Sequence, residues 1–315
     1  MRLPSWIAQH LAALRALLVL TAITGLAYPL ALAAVARVPG LAHHADGSAV
    51  TANGITVGSA RIGQSFTDSD GNALPQYLQS RPSAAGAGYD PTATAASNLG
   101  PEDVVDVVDV VDVVDSLPDP TDPTDPADPA GQTDPASGRR SLLTQVCARS
   151  LSIGKTEGVD GRRPYCTGSG VGAVLGVFHR EGPTGPVTRV VSLNEPCPTA
   201  PFLATHGGVR VECARPGQDY ARAVVVPVRG NAPGQPVVPA DAVTAGASGL
   251  DPHISPAYSR IQAPRVAGAR GIDVAVVLKI VEEHTAGRAL GFLGEPTVDV
   301  LAVNLDLDRH HPVRD

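Results

Sequence analysis

SPAYSRIQAPRVAGARGIDVAVVLKIVEEHTAG, residues 255–287, holds the start and stop signals of two helices. Ser255 and Pro256 form an N-cap and a first helical residue whose φ is already set, and Ala263-Pro264 is expected to end that helix. Asp273 caps the next. There Val274, Val277, Leu278 and Val281 fall on one face at i, i+3, i+4 and i+7, and Ile272 is placed to staple onto Val277. Gly287 supplies a left-handed stop. Downstream, VLAVNLDLD (300–308) sets Leu301, Val303, Leu305 and Leu307 in alternation with Asn304, Asp306 and Asp308, which reads as a strand with one wet face. Helices followed by such a strand give the frame of a compact α+β domain.

Upstream of this stretch, SGLDPHISPAY (248–258) concentrates Asp251, His253 and Ser255 among prolines. A Ser-His-Asp hydrolytic site is one reading of that cluster. The preferred reading is a rigid scaffold facing a partner, with Asp251 and Ser255 capping helix starts and His253 in a turn or interface. Glu282, Glu283 and His284 read as the exposed end of the second helix rather than as a metal site.

The N-terminus sets the compartment. ALLVLTAITGLAYPLALAAVA (16–36) is uncharged, and at about 1.5 Å per residue it matches the roughly 30 Å core of a bilayer. Ala34-Val35-Ala36 also has the small-x-small form of a signal-peptide cleavage site, but the stretch is longer than the usual h-region, which favours a retained anchor. Arg2 and Arg15 precede it and only Arg37 follows closely, which favours a cytoplasmic N-terminus with the bulk of the chain outside. Within the span Thr21, Gly25 and Pro29 form a notch of small residues and a broken hydrogen bond, suited to another membrane helix.

Between the span and the C-terminal frame the chain changes character three times. Residues 37–101 are dense in turn formers, and polar side chains such as Gln64, Ser65 and Asp68 are expected to satisfy backbone groups in tight loops. Residues 102–138 are a low-complexity linker: Asp recurs every third residue in DVVDVVDVVDVVD (103–115), then in a Pro-rich run. Glu102–Pro135 holds eleven acidic residues and no Lys or Arg, so the net charge of −7 conceals +4 elsewhere. That mild excess, with 3 % aromatic residues, gives no reason to expect nucleic-acid binding. The acidic run lacks the Gly and terminal Glu of a Ca²⁺ loop.

Residues 139–230 contain Cys147, Cys166, Cys197 and Cys213. Their wide spacing excludes a zinc ribbon, so two disulfides in one of three connectivities are expected. GVRVECA (208–214) and YARAVVVPVRG (220–230) favour a β-rich module. SIGKT (152–156) lacks the earlier glycine of a phosphate-binding loop, and GSGVGA (168–173) follows no strand, so neither reads as a nucleotide site. Residues 231–315 complete the domain begun at 37, with the linker and cysteine block inserted within it.

Six segments in order add a resemblance: TGLAYPL, GSARIGQSFTD, RPSAAGAGYDP, SNLGP, SGLDPHISPAY and VEEHTAGRALGFLGEP. Together they resemble the C subunit of the bacterial Kdp potassium-transporting P-type ATPase, over about residues 14–101 and 238–308. The family usually has Ser-Gly where Gly246-Ala247 stand and joins its two blocks by a short helical connection. The resemblance implies a non-catalytic subunit, bound through the bilayer to a channel-like K⁺-binding subunit and a P-type ATPase subunit. It further implies a catalytic chaperone that raises the pump's affinity for ATP, with K⁺ carried by the complex and not by this chain. Nucleotide binding is attributed to the family, and its site would carry over to Gln64 and Ser65. With about fifteen residues in the cytosol, the physically easier route is reciprocal coupling through the partner. A membrane-anchored binding module and a secreted hydrolase are the alternatives.

Overall fold

The computed structural model describes residues 4–85, 88–90, 92, 98–107 and 139–313, so most of the linker expected over 102–138 lies outside the described residues. Contacts divide the chain into two units, Met1–Arg61 and Ile62–Asp315.

The first unit opens with α1 (Ser5–Thr21), a π-helical turn over Ala22–Ala27 and α2 (Tyr28–Ala36). Together they make one 32-residue helix long and apolar enough to cross a membrane, starting well before the uncharged stretch. The wide turn ends where Pro29 has no N–H to offer: Tyr28 N–H reaches back five residues to Ile23 O, and Thr24 Oγ1 donates to Leu20 O at 2.8 Å. Then come α3 (Ala42–Ala45) and an antiparallel hairpin, β1 (Ala49–Ala52) with β2 (Ile55–Ser59). Its Asn53-Gly54 turn takes positive φ at both residues, as the twist of a tight hairpin requires.

The second unit runs α4 (Leu142–Glu157), β3 (Val174–Glu181), β4 (Thr184–Pro196), β5 (Thr205–His206), β6 (Val209–Ala214) and β7 (Val224–Pro227). It continues through α5 (Ala240–Val243), β8 (His253–Ile254), α6 (Pro256–Arg270), α7 (Val274–Glu283), β9 (Thr285–Ala286), β10 (Thr297–Asp299) and α8 (Val300–His310). Helices and sheets together make this an α+β fold.

The main core is helical. Val266 of α6, Val277 and Val281 of α7 and Val303 and Leu307 of α8 close on Leu78, Val238 and the small sheet β8-β10-β9. Helix α4 joins this core through Val146 and Ile153, although it belongs to the cysteine-bearing block. The five-stranded sheet, in order β5-β6-β4-β3-β7, has a separate apolar cluster on each face. Only its β4-β6 pair is parallel. Cys147–Cys166 ties α4 to the loop before β3, and Cys197–Cys213 ties the end of β4 to β6, which settles the connectivity as neighbours in sequence.

Three sequence expectations are corrected. Residues 300–308 form helix α8, not a strand. Asp299 caps it by accepting from Ala302 N at 2.9 Å, and Val300, Leu301, Val303, Asn304 and Leu307 are buried with helical spacing. The alternating pattern fitted both periods because the run is short, and Leu favours a helix over a strand. Helix α6 continues through Pro264 to Arg270 and ends at Gly271 with φ +64, because packing of Ala263, Val266 and Ala267 outweighs one lost hydrogen bond. Helix α7 stops at Glu283, before Gly287, because Thr285–Ala286 pairs with β10.

Candidate functional site

Three of the segments that stand out in the sequence meet along the loop 244–251, which runs between α5 and β8. Gly246 exchanges bonds with RPSA: Ala84 N donates to Gly246 O and Gly246 N to Pro82 O, both at 2.8 Å. Asp90 N donates to Ser248 O at 3.1 Å, and Gly63 N to Leu250 O at 2.9 Å. Two segments distant from it in sequence, around Gly63 and over residues 82–90, are thus stitched to a single backbone. Glycine is required at two of the crossings. A side chain at Gly63 would strike the Asp251 carbonyl group, and one at Gly249, where φ is +73, would strike Gly88 O.

Asp251 sits at the end of this loop. One carboxylate oxygen pairs with Arg81 Nη1 at 2.9 Å and the other accepts from His253 N at 3.0 Å. It therefore closes a turn and holds Arg81, and does not cap a helix as expected. Ser255 does cap: its Oγ accepts from Tyr258 N at 3.0 Å and donates to Asp241 Oδ1 at 2.8 Å. His253 lies in β8, opposite Asp299 of β10. His284 is not a loose helix end, since its Nε2 meets Asp306 Oδ2 at 3.0 Å, while Glu283 stays exposed beside Lys279.

Behind Arg81, the segment Pro75–Ser80 is held by side chains of α6 and α8. Buried Gln262 accepts from Gln79 N at 2.7 Å and donates to Gln79 O at 3.1 Å, as a neighbouring strand would. Asn304 does the same for Leu78 at 2.8 and 3.0 Å. Arg270 donates to Gln76 O at 2.8 Å, and Arg265 to Pro75 O at 2.7 Å and to buried Glu157 at 2.9 Å. Burial pushes the Glu157 carboxyl above its ordinary value, although the Arg265 guanidinium opposes the shift.

A cavity of about 500 Å³ opens beside this junction, lined in part by Gln64, Ser65, Arg81, Arg140, Glu157 and Tyr258. Gln64 O accepts from Ser80 Oγ at 3.3 Å, so its backbone serves the loop packing and its side chain lines the cavity. Asp68 satisfies its own loop by accepting from Asp70 N and Asn72 N. SIGKT lies inside α4, where its N–H groups serve the helix and cannot cradle a phosphate. No group of three or more His, Cys, Asp or Glu able to hold a metal occurs among the described residues. In the first unit a side chain at Gly25 would lie 3.8 Å from Thr21 Cγ2, an ordinary contact.

Sequence reasoning missed Arg81, Asp241, Gln262 and Asn304. The one signal available was a polar residue at a core position: Gln262 lies between Tyr258 and Val266 on the buried face of α6.

The family model described as "K+-transporting ATPase, c chain" matches residues 10–133 and 219–309, leaving all four cysteines in the unmatched interval. A potassium-transporting ATPase KdpC subunit of Kineococcus radiotolerans is 34 % identical over 92 % of this chain and 88 % of its own length. Those of Rhodospirillum rubrum and Mycobacterium tuberculosis are 32 % and 30 % identical, over 93 % and 96 % of this chain and 92 % and 98 % of their own lengths. The chain belongs to the family of the c chain, or KdpC subunit, of K⁺-transporting ATPases.

Proposed function

We propose that this chain is the non-catalytic, membrane-anchored subunit of an ATP-driven K⁺ uptake complex, and that it raises the ATP affinity of a P-type ATPase subunit. The Ser5–Ala36 helix crosses the bilayer with its N-terminus in the cytoplasm, and residues 37–101 and 231–315 form an extracytoplasmic cap. Thr21, Gly25 and Pro29 face a helix of the channel-like subunit, and the 251–255 stretch contacts its outer face. One observation supports the reading: three of the family's segments are joined by backbone bonds and glycine crossings along the loop 244–251, which is what a rigid scaffold needs. Ser255, a candidate nucleophile for a hydrolase, instead caps α6 and donates to Asp241.

ATP affinity then changes by linkage. If the anchor and cap bind one pump conformation better than another, the pump's affinity for ATP shifts by the same factor. A second reading, direct nucleotide contact, is favoured by Gln64 and Ser65 lining the cavity beside Arg81 and Arg140. Purification of the tagged chain from bacterial membranes in mild detergent tests the assignment. Recovery of a channel-like and a P-type ATPase subunit with K⁺-stimulated hydrolysis is expected, and recovery of the chain alone overturns it. Photolabelling of that complex with an azido-ATP separates the readings: label on the ATPase subunit alone leaves linkage, and label on the 62–85 segment establishes contact.

A further inference from the structure

Strands β9 and β10 are joined by a turn, residues 287–296, that reverses the usual composition of a loop. Leu290, Phe292 and Leu293 are 83 %, 69 % and 51 % exposed, and Arg288 and Glu295 are its only charged residues. Those two pair with each other at the base of the turn. The backbone is bonded inward: Ala289 N donates to Leu293 O and Leu293 N to Ala289 O, both at 2.9 Å, and Gly291 N donates to Arg288 O at 3.0 Å. Leu290 takes φ +54, a left-handed conformation that a bulky residue rarely adopts, and its side chain gains no burial there. Folding alone does not account for such a residue, and backbone strain of this kind collects at sites of recognition.

We propose that this tip enters the surface of a lipid bilayer, with Leu290, Phe292 and Leu293 among the acyl chains and the Arg288–Glu295 pair at headgroup level. The inference rests on the reading that Ser5–Ala36 spans the membrane. Lipid suits the tip better than a protein partner. A stable protein interface takes about 800 Å² from each side, and three side chains supply only a fraction of that. In a bilayer each apolar side chain gains separately, with no complementary surface to match. Hydrocarbon also requires backbone polar groups to be bonded, and the tip bonds N–H and C=O groups within itself. The ion pair at its base leaves no lone charge to be carried inward. Three side chains would hold a free domain weakly, but the span in the same chain makes this contact intramolecular, so that a weak contact suffices. A second attachment of this kind limits how far the unit can tilt from the bilayer.

Trp6 is the only tryptophan, so a single indole can report on the tip. The test uses the full chain with Trp6→Phe and Phe292→Trp, reconstituted into phosphatidylcholine–phosphatidylglycerol vesicles that contain a lipid spin-labelled near the headgroup end of its acyl chain. Indole emission should fall about twofold or more relative to vesicles without the label, as for a side chain at the acyl boundary. Val225→Trp in the same Trp6→Phe background places the indole at an exposed position of β7 in the five-stranded sheet, and its emission should fall by no more than about a tenth. Adding Leu290→Ser and Leu293→Ser to the Phe292→Trp chain should remove at least about half of the quenching, with the urea midpoint unchanged because both side chains are exposed. Quenching at Phe292→Trp no greater than at Val225→Trp would overturn the proposal. So would undiminished quenching in the serine variant, and so would a blue-shifted but unquenched indole, which would place the tip against protein. A chain that does not float with the vesicles would remove the span and the tip contact together, whereas a floating chain with an unquenched tip removes the tip contact alone.

Discussion

Gln262 shows what a single buried amide does here. It lies fully within the core and pairs with both backbone groups of Gln79, so removing it leaves a half-buried N–H and C=O unpaired and opens a cavity. Gln262→Ala should cost about 2–4 kcal/mol in urea unfolding, and a loss within 0.5 kcal/mol, roughly that of a surface change, would show that the segment holds itself. Asp306 predicts a pH dependence. Burial raises its carboxyl, but the imidazoles of His284 and His310 more than offset that and hold it below the ordinary carboxylate value of 3.8. A depressed acid stabilises above its unfolded value and loses that stability as pH falls through the folded one. Below pH 5, roughly where carboxylates begin to protonate, Asp306→Asn should therefore lose stability less steeply than wild type; equal slopes would contradict the assignment. The partner of Gln262 was not legible beforehand, because Gln79 and Gln262 lie 183 residues apart.

Helix α7 and helix α8 mark how far element-scale reading reached. For α7 the cap held and the apolar stripe held in part: Asp273 accepts from Ala275 N at 2.7 Å and Val277 and Val281 are buried, but Leu278 is exposed and Ile280 is buried instead. For α8 the same kind of cap, Asp299, was available but was outweighed by an accidental two-residue alternation. Asp299→Ala should lower stability by about 1 kcal/mol and leave the helical circular dichroism of the folded state nearly intact; no change in midpoint would remove Asp299 as the cap. The Asp repeat reads as part of a low-complexity linker, yet its first four residues close the start of α4. Low complexity hid this because the partners, Arg139 and Asn194, lie beyond the linker in sequence.

On the scale of the molecule, the α+β frame, the N-terminal apolar helix and the two disulfides were readable from helix signals, hydropathy and cysteine spacing. The convergence of two upstream segments on residues 244–251 was not, since it rests on backbone bonds between segments up to about 190 residues apart. The cysteine-bearing sheet is likewise less separate than its sequence suggests, because α4 shares the core of the C-terminal helices.

The central claim is that this chain tunes a pump without doing chemistry of its own. The most direct test is the ATP dependence of K⁺-stimulated hydrolysis by membranes containing the channel-like and ATPase subunits, with and without this chain at fixed K⁺. The account predicts a lower KM for ATP when the chain is present, and loss of that gain in Gly63→Leu, whose side chain cannot pass the Asp251 carbonyl. An unchanged KM and rate in the absence of the chain would contradict it.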